Sequence, residues 1–265
     1  ADEINTVTLT GSTITLSGDI TTSNAANNNV DINGAVVISG AVDIDTDTTG
    51  TDGTIDFSST IVGDGNNATT DNLTIDSGGS TVTFNGTIGV AAPIAGFNVN
   101  QDGGNVALTI PQVGTASGSA GTTGVTLIGS ANTSAVTLSA ASYEFGGATT
   151  ITSAGNITAG ATNPDIDITG NATLTGNLVL SDGTFNLNSG GGNISVSGTI
   201  TSAGIDETLT LTDGGASGSI TLGGAATSGS VTLVGAGGVS LGGNLTASNT
   251  ASAGTVSITG PVTLT

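Results

Sequence analysis

No lysine, arginine or histidine occurs anywhere in the 265 residues, and cysteine, methionine and tryptophan are absent as well. Each absence excludes something. Without a cationic side chain no side-chain salt bridge can form, and a formal charge of −20 stands uncompensated. Nucleic-acid binding needs Lys and Arg to displace phosphate counterions, so nucleic acid is not an expected partner. Anionic membrane surfaces repel such a chain, and no run approaches the roughly 18 apolar residues of a membrane span, so no membrane insertion is expected. Lack of cysteine rules out a disulfide framework. Without His, Cys or Lys the usual general bases and activated nucleophiles are missing, which leaves the many serines with no basic partner. Trypsin-like proteases have no cleavage site here. The most oxidisable side chains are also gone, which suits a harsh exterior.

What remains argues for a folded chain. Charged residues make up 8% of the sequence, against about 25% in an average soluble protein. Disordered acidic chains are poor in apolar residues, whereas here the hydrophobic share is 35%. Val, Ile, Leu and Ala supply most of it. Five Phe and one Tyr are the only aromatics, so the expected core is narrow and built of small branched side chains.

The dominant pattern is alternation of apolar and polar residues, the period-2 signature of strands. It runs through VTLT from Val7, ITLS from Ile14, VDIN from Val30, TVTF from Thr81, GVTLI from Gly124, DIDIT from Asp165, TFNLN from Thr184, LTLT from Leu209, SVTLV from Ser230 and TVSIT from Thr255. Gly, Asn, Asp and Ser lie between the runs, where turns are needed. No 3.6-residue helical stripe is present. Taking one leading strand per unit gives Val30, Ile55, Leu73, Phe97, Val125, Ile151, Ile166, Phe185, Leu209, Val231 and Val256, an average step of about 23 residues with individual steps of 15 to 28. That is the size of one coil of a three-faced β-helix. The spacing predicts an all-β chain: a right-handed parallel β-helix (β-solenoid) of roughly 11–12 irregular coils, forming one repeat domain over residues 1–265. At about 4.8 Å per coil the rod would be roughly 50 Å long. A series of antiparallel sandwiches is the runner-up, but it needs aromatic anchors and more hairpin turns than Asn33-Gly34 and Asn85-Gly86 supply. The richest loops, 46–53, 63–71 and 115–124, are expected to be long corners.

Strand-like sequence starts by Val7 and continues to PVTLT at Thr265, with no amphipathic capping helix. Open solenoid ends imply either self-association into a filament or continuation of a longer chain. The opening Ala1-Asp2-Glu3 fits a mature terminus left after signal-peptide removal.

Strings such as SITLGGAATSGSVTLVGAGGVSLGGNLTAS, residues 219–248, resemble the repeats of large bacterial surface proteins. The resemblance is to filamentous-haemagglutinin-like exoproteins and autotransporter passenger domains, and it covers nearly the whole chain in composition and rhythm. It implies a right-handed parallel β-helix, an extracellular or cell-surface location, and structural or adhesive work. The chain departs from that pattern in having no basic residue and no recognisable secretion domain or barrel.

Specific chemistry is sparse. Asp165 with Asp167, and Asp43 with Asp45, lie two apart and so share a sheet face. Paired carboxyls can hydrolyse glycosides, but no sugar-binding aromatic platform or cation accompanies them, and the chain is not expected to be an enzyme. Calcium is the candidate ion. The stretch DIDTDTTGTDGTID holds Asp43, Asp45, Asp47, Asp52 and Asp56; read from Asp45, it places acids at loop positions 1 and 3, Thr49 at 5, Gly50 at 6 and Asp56 at 12. That partly matches a calcium loop. The competing reading is a polar corner whose Asp side chains cap turns. Repeated T-x-T raises ice binding, but unequal coils spoil the regular array it needs, and Thr is a good exposed strand residue. Eight N-x-[ST] sequons, from Asn67 to Asn244, are what a chain rich in Asn, Ser and Thr contains by chance. Together the residues point to a structural protein of an extracellular filament, sheath or surface layer. The alternative is an adhesin whose corners at 46–53 and 115–124 bind cell-surface glycans or proteins.

Overall fold

In the computed structural model the described residues are 6–22, 28–47, 52–66, 70–100, 106–115, 119–202, 204, 206–249 and 253–265. Among them there is no helix, and every strand pairing is parallel. Inward and outward positions alternate along each strand. Val30–Ile38 buries Val30, Ile32, Val36 and Ile38, and Thr208–Thr212 buries Leu209 and Leu211. A strand buried on one side and stacked above and below needs only this alternation and a corner residue that can turn.

Each coil contributes to three faces. On the first, Val7, Val30, Ile55 and Val82 stack in one inward column. Val82–Phe84 packs beside Ala107–Ile110. From there the face continues as Leu108, Val136, Ile157, Leu178, Ile200, Ala226 and Leu245. The second face carries Ile14, Val36, Ile61, Ile88, Val113, Tyr143, Ile166, Leu187, Leu211, Leu233 and Ile258. On the third stand Ile20, Ile44, Ile75, Val99, Ile128, Ile151, Leu174, Val196, Leu222, Leu241 and Leu264. In the second and third columns all members between the two ends are buried. The result is a β-solenoid with one continuous apolar lumen.

Each column holds eleven members, joined by ten steps of about 23 residues, in keeping with the coil size and number that the sequence predicts. The leading strands chosen from sequence belong to different faces. Val30 and Ile55 are on the first, Leu73 and Phe97 on the third, and Phe185 through Val256 on the second. The 15-residue step from Ile151 to Ile166 runs from one face to another, not from coil to coil. True coil steps include 31 residues between Val42 and Leu73 and 29 between Phe97 and Thr126, because long corners enlarge some coils without adding strands.

Aromatic rings meet one another at two places in the stack. Phe57 and Phe84 stack at 5.4 Å, and Phe84 meets Phe97 edge-on at 5.8 Å. Tyr143, fully buried, donates its hydroxyl to the Ile110 carbonyl at 2.8 Å and accepts from the Ala140 amide at 2.9 Å. Corners stack as well. Asn171 Oδ1 accepts from the Asn193 amide at 2.9 Å, and Asn193 Oδ1 accepts from the Ser219 amide at 3.0 Å. Gly89 adopts φ +70°, and a Cβ there would run into the Gly121 backbone one coil on. Only glycine meets both demands.

Candidate functional sites on the acidic corners and faces

The five candidate calcium ligands divide between two faces. Asp43 and Asp45 project outward from Val42–Asp45 on the third face, where Asp45 stands beside Asp76. Asp43 is held above the usual carboxylate range by burial first, then by the charges of Asp45, Asp19 and Asp76. Past the strand, Asp45 Oδ1 accepts from the Asp47 amide at 2.9 Å. Asp47 and Asp52 converge on one turn: a Cβ on Gly78 would lie 2.7 Å from the carboxyl carbon of each. Asp52 Oδ2 accepts from the Gly79 amide at 2.6 Å, and Asp76 Oδ1 from the Gly78 amide at 3.2 Å. Asp56 sits on the first face, where its Oδ1 accepts from Asn85 Nδ2 at 2.9 Å. Positions 1 and 12 of the sequence loop are therefore not brought together, and Thr49 and Gly50 lie outside the described residues. Among the described residues no group of three or more acidic side chains is gathered to hold a metal ion. Asp45, Asp52 and Asp76 each accept a backbone N–H at this corner, a common role of aspartate at turns.

A second acidic cluster lies on the outer side of the second face. Sequence reading paired Asp165 with Asp167 along one strand, and the burial pattern puts both outward. It missed Glu144, which stands opposite Asp167 on the preceding coil. The 23-residue step from 144 to 167 was the signal that could have found it. Burial, followed by the charges of Asp167 and Asp165, pushes Glu144 up to about 7. Asp165 is raised as well, by burial and then Asp167. Glu144, Asp167, Asn188 and Thr169 border a surface cavity of about 310 Å³. A carboxyl that is half protonated near neutrality beside another carboxylate can exchange a proton. No cation or imidazole exists in the chain to assist it.

Three further acids are buried, Asp71, Glu207 and Asp213, the last accepting from the Gly215 and Ala236 amides at 2.9 and 2.7 Å. Asp71 accepts from the Gly40 and Asp64 amides at 3.0 and 3.1 Å, one with each oxygen. Glu207 is 7% exposed, and its Oε2 has no hydrogen-bond partner among the described residues. In the corner 115–124 the Ser119 amide donates to Thr115 Oγ1 at 3.0 Å; residues 116–118 are outside the described set, as are 48–51 of the other proposed contact corner.

The last coil leaves apolar side chains uncovered. Val256, Val262 and Leu264 are 45%, 48% and 79% exposed, although each extends an otherwise buried column. No helix among the described residues is long and apolar enough to cross a membrane. No family model, no curated protein and no solved structure matches the chain.

Proposed function

We propose that this chain is an extracellular structural protein, a subunit or segment of a surface filament, sheath or surface layer, and that it works mechanically without catalysis. The observation that carries the reading is the pair of inward columns from Ile14 to Ile258 and from Ile20 to Leu264, which stack coil on coil through one continuous apolar lumen and so make a stiff, extended rod. Composition supports the location: no trypsin site, no readily oxidised side chain, and only acidic charge.

Negative-stain electron microscopy of the purified chain tests it, in calcium and then in chelator. Filaments a few nanometres wide that lengthen with protein concentration are expected. Their loss in chelator would add cation bridging between carboxylates to the account. Short monodisperse rods at every concentration in both conditions refute the structural reading and leave an adhesin segment as the better account.

A further inference from the structure

The outward side of the first face carries one uninterrupted ladder. Thr109, Thr137, Thr158, Val179, Thr201, Thr227 and Thr246 are strand neighbours on seven successive coils. None of the seven is buried. Columns on the other faces are mixed. The third alternates threonine with serine from Thr173 to Thr263, and the second runs Ser142, Asp165, Asn186, Thr210. The expectation that unequal coils spoil a regular array does not hold on the first face. Ladder members lie 19 to 28 residues apart in sequence, yet corners absorb the difference and the strands stay in register.

Threonine and valine are branched at Cβ and stiff at χ1, so such a ladder loses little side-chain entropy when covered. None of its six threonine side chains is hydrogen-bonded among the described residues. Charge is also kept away. Outward neighbours on the same strands, such as Ala107, Ala135, Asn156 and Asn177, are neutral. Along these strands the one acid, Asp182, lies three residues beyond the ladder. By contrast, Asp31 and Asp56 stand on earlier strands of this face, and Glu144, Asp165 and Asp167 on the second. Two copies of a chain of charge −20 that met by those parts would set carboxylates against carboxylates; by the ladder they do not.

Pitch selects the partner. The rungs repeat at the strand spacing of about 4.8 Å, so seven span roughly 29 Å. A facing ladder of the same repeat can seat each side chain between two opposite ones, as paired sheets do in a dry zipper about 10 Å across. A surface without that repeat meets only a rung or two. A second copy of this chain has it.

We propose that two copies pack rod beside rod through this face, with their Thr/Val ladders interdigitated. The proposal rests on the sheath or surface-layer reading and specifies the side by which its rods meet. The contact runs along the flank, so coils added at either end would lengthen it. A strip of roughly 29 by 10 Å is small beside the roughly 800 Å² per partner of a standard interface. Single copies should therefore pair weakly, and rods joined in line should pair tightly.

Sedimentation velocity over a concentration series, with negative-stain microscopy, tests the contact. The wild-type chain should form side-by-side pairs, more of them as added salt screens the remaining charge, and as many in chelator as in calcium. Thr158→Asp/Thr201→Asp should weaken pairing at least about tenfold with the circular dichroism unchanged. Thr210→Asp/Thr232→Asp, which adds the same charge to the second face, should leave pairing in place. Pairing that survives the ladder variant, or that both variants abolish alike, overturns the proposal. Filaments that stay single leave the structural reading standing and overturn this contact; pairs without filaments do the reverse. Unpaired rods that shape growing ice crystals also overturn it and give the ladder to ordered water.

Discussion

Shortening Leu211 to alanine isolates the contribution of the stacked column. Leu211 is fully buried on the second face, between Leu187 on the coil before and Leu233 on the coil after. Removing three carbons loses about 2.4 kcal/mol of transfer free energy at roughly 0.8 kcal/mol per carbon. The cavity left between two leucines that cannot collapse toward each other raises the cost to about 3–4 kcal/mol. Thr210 on the same strand points outward, and Thr210→Ala should change stability by less than about 0.5 kcal/mol. With no tryptophan in the chain, urea unfolding is followed by far-ultraviolet circular dichroism, and hydrogen exchange reports where the loss falls. In a stacked array each coil touches only its neighbours. Lost protection should therefore concentrate in Thr184–Asn188, Thr208–Thr212 and Ser230–Val234, with the Val42–Asp45 strand unchanged. Equal costs at Thr210 and Leu211 would refute the inward assignment. Uniform loss of protection along the chain would refute nearest-neighbour stacking.

Two other perturbations test individual groups. Glu144 is pushed up from an ordinary value near 4.5 to about 7, so between those values the folded chain holds a proton that the unfolded chain has released. Stability should then fall as pH rises through that window, by no more than about 1 kcal/mol for a solvent-screened group; Glu144→Gln should narrow the difference between urea midpoints at pH 5 and pH 8, and an unchanged difference would refute the assignment. Tyr143, the one tyrosine, is pushed up to about 12 by burial, so the folded protein should show only about a tenth of the full phenolate absorbance at pH 11 and should lose stability as pH rises from about 10 toward 12. A phenolate band appearing near pH 10 with the circular dichroism intact would contradict its burial.

Much of the fold was legible because alternation in a chain of small branched residues has one physical meaning. The inward residues of ITLS, TFNLN and SVTLV are those the pattern selects. Stacking decided the cases that alternation left open. In GVTLI the pattern offers Val125 and Leu127, yet they are 57% and 41% exposed, while Thr126 and Ile128 point inward. Ile128 must sit between Val99 and Ile151, and that register fixes the phase of the whole strand. Corners were not legible because they have no period. A 31-residue step and a 19-residue step, from Ile220 to Val239, look alike until the strands are paired. The calcium reading met the same obstacle: Asp45 and Asp56 are close in sequence, but a corner sends them to different faces.

The one-sided charge follows from the same architecture. A coil turns at corners where backbone N–H groups fall outside the ladder and need acceptors. Aspartate supplies them repeatedly: Asp19 for the Asp43 amide, Asp64 for Asn66, Asp71 for Gly40 and Asp64, and Asp213 for Gly215 and Ala236. Lysine and arginine are donors only and could serve none of these amides. An acidic chain can therefore satisfy its turns without a single cation, and its carboxylates gain charge-assisted hydrogen bonds in place of salt bridges. What that arrangement does not remove is mutual repulsion. Coils about 4.8 Å apart lie well within a Debye length of about 8 Å at physiological ionic strength, so acids on neighbouring coils feel one another. The raised Glu144, Asp165 and Asp43 are where that repulsion, added to burial, is largest. The acid-free coils after Asp213 escape it.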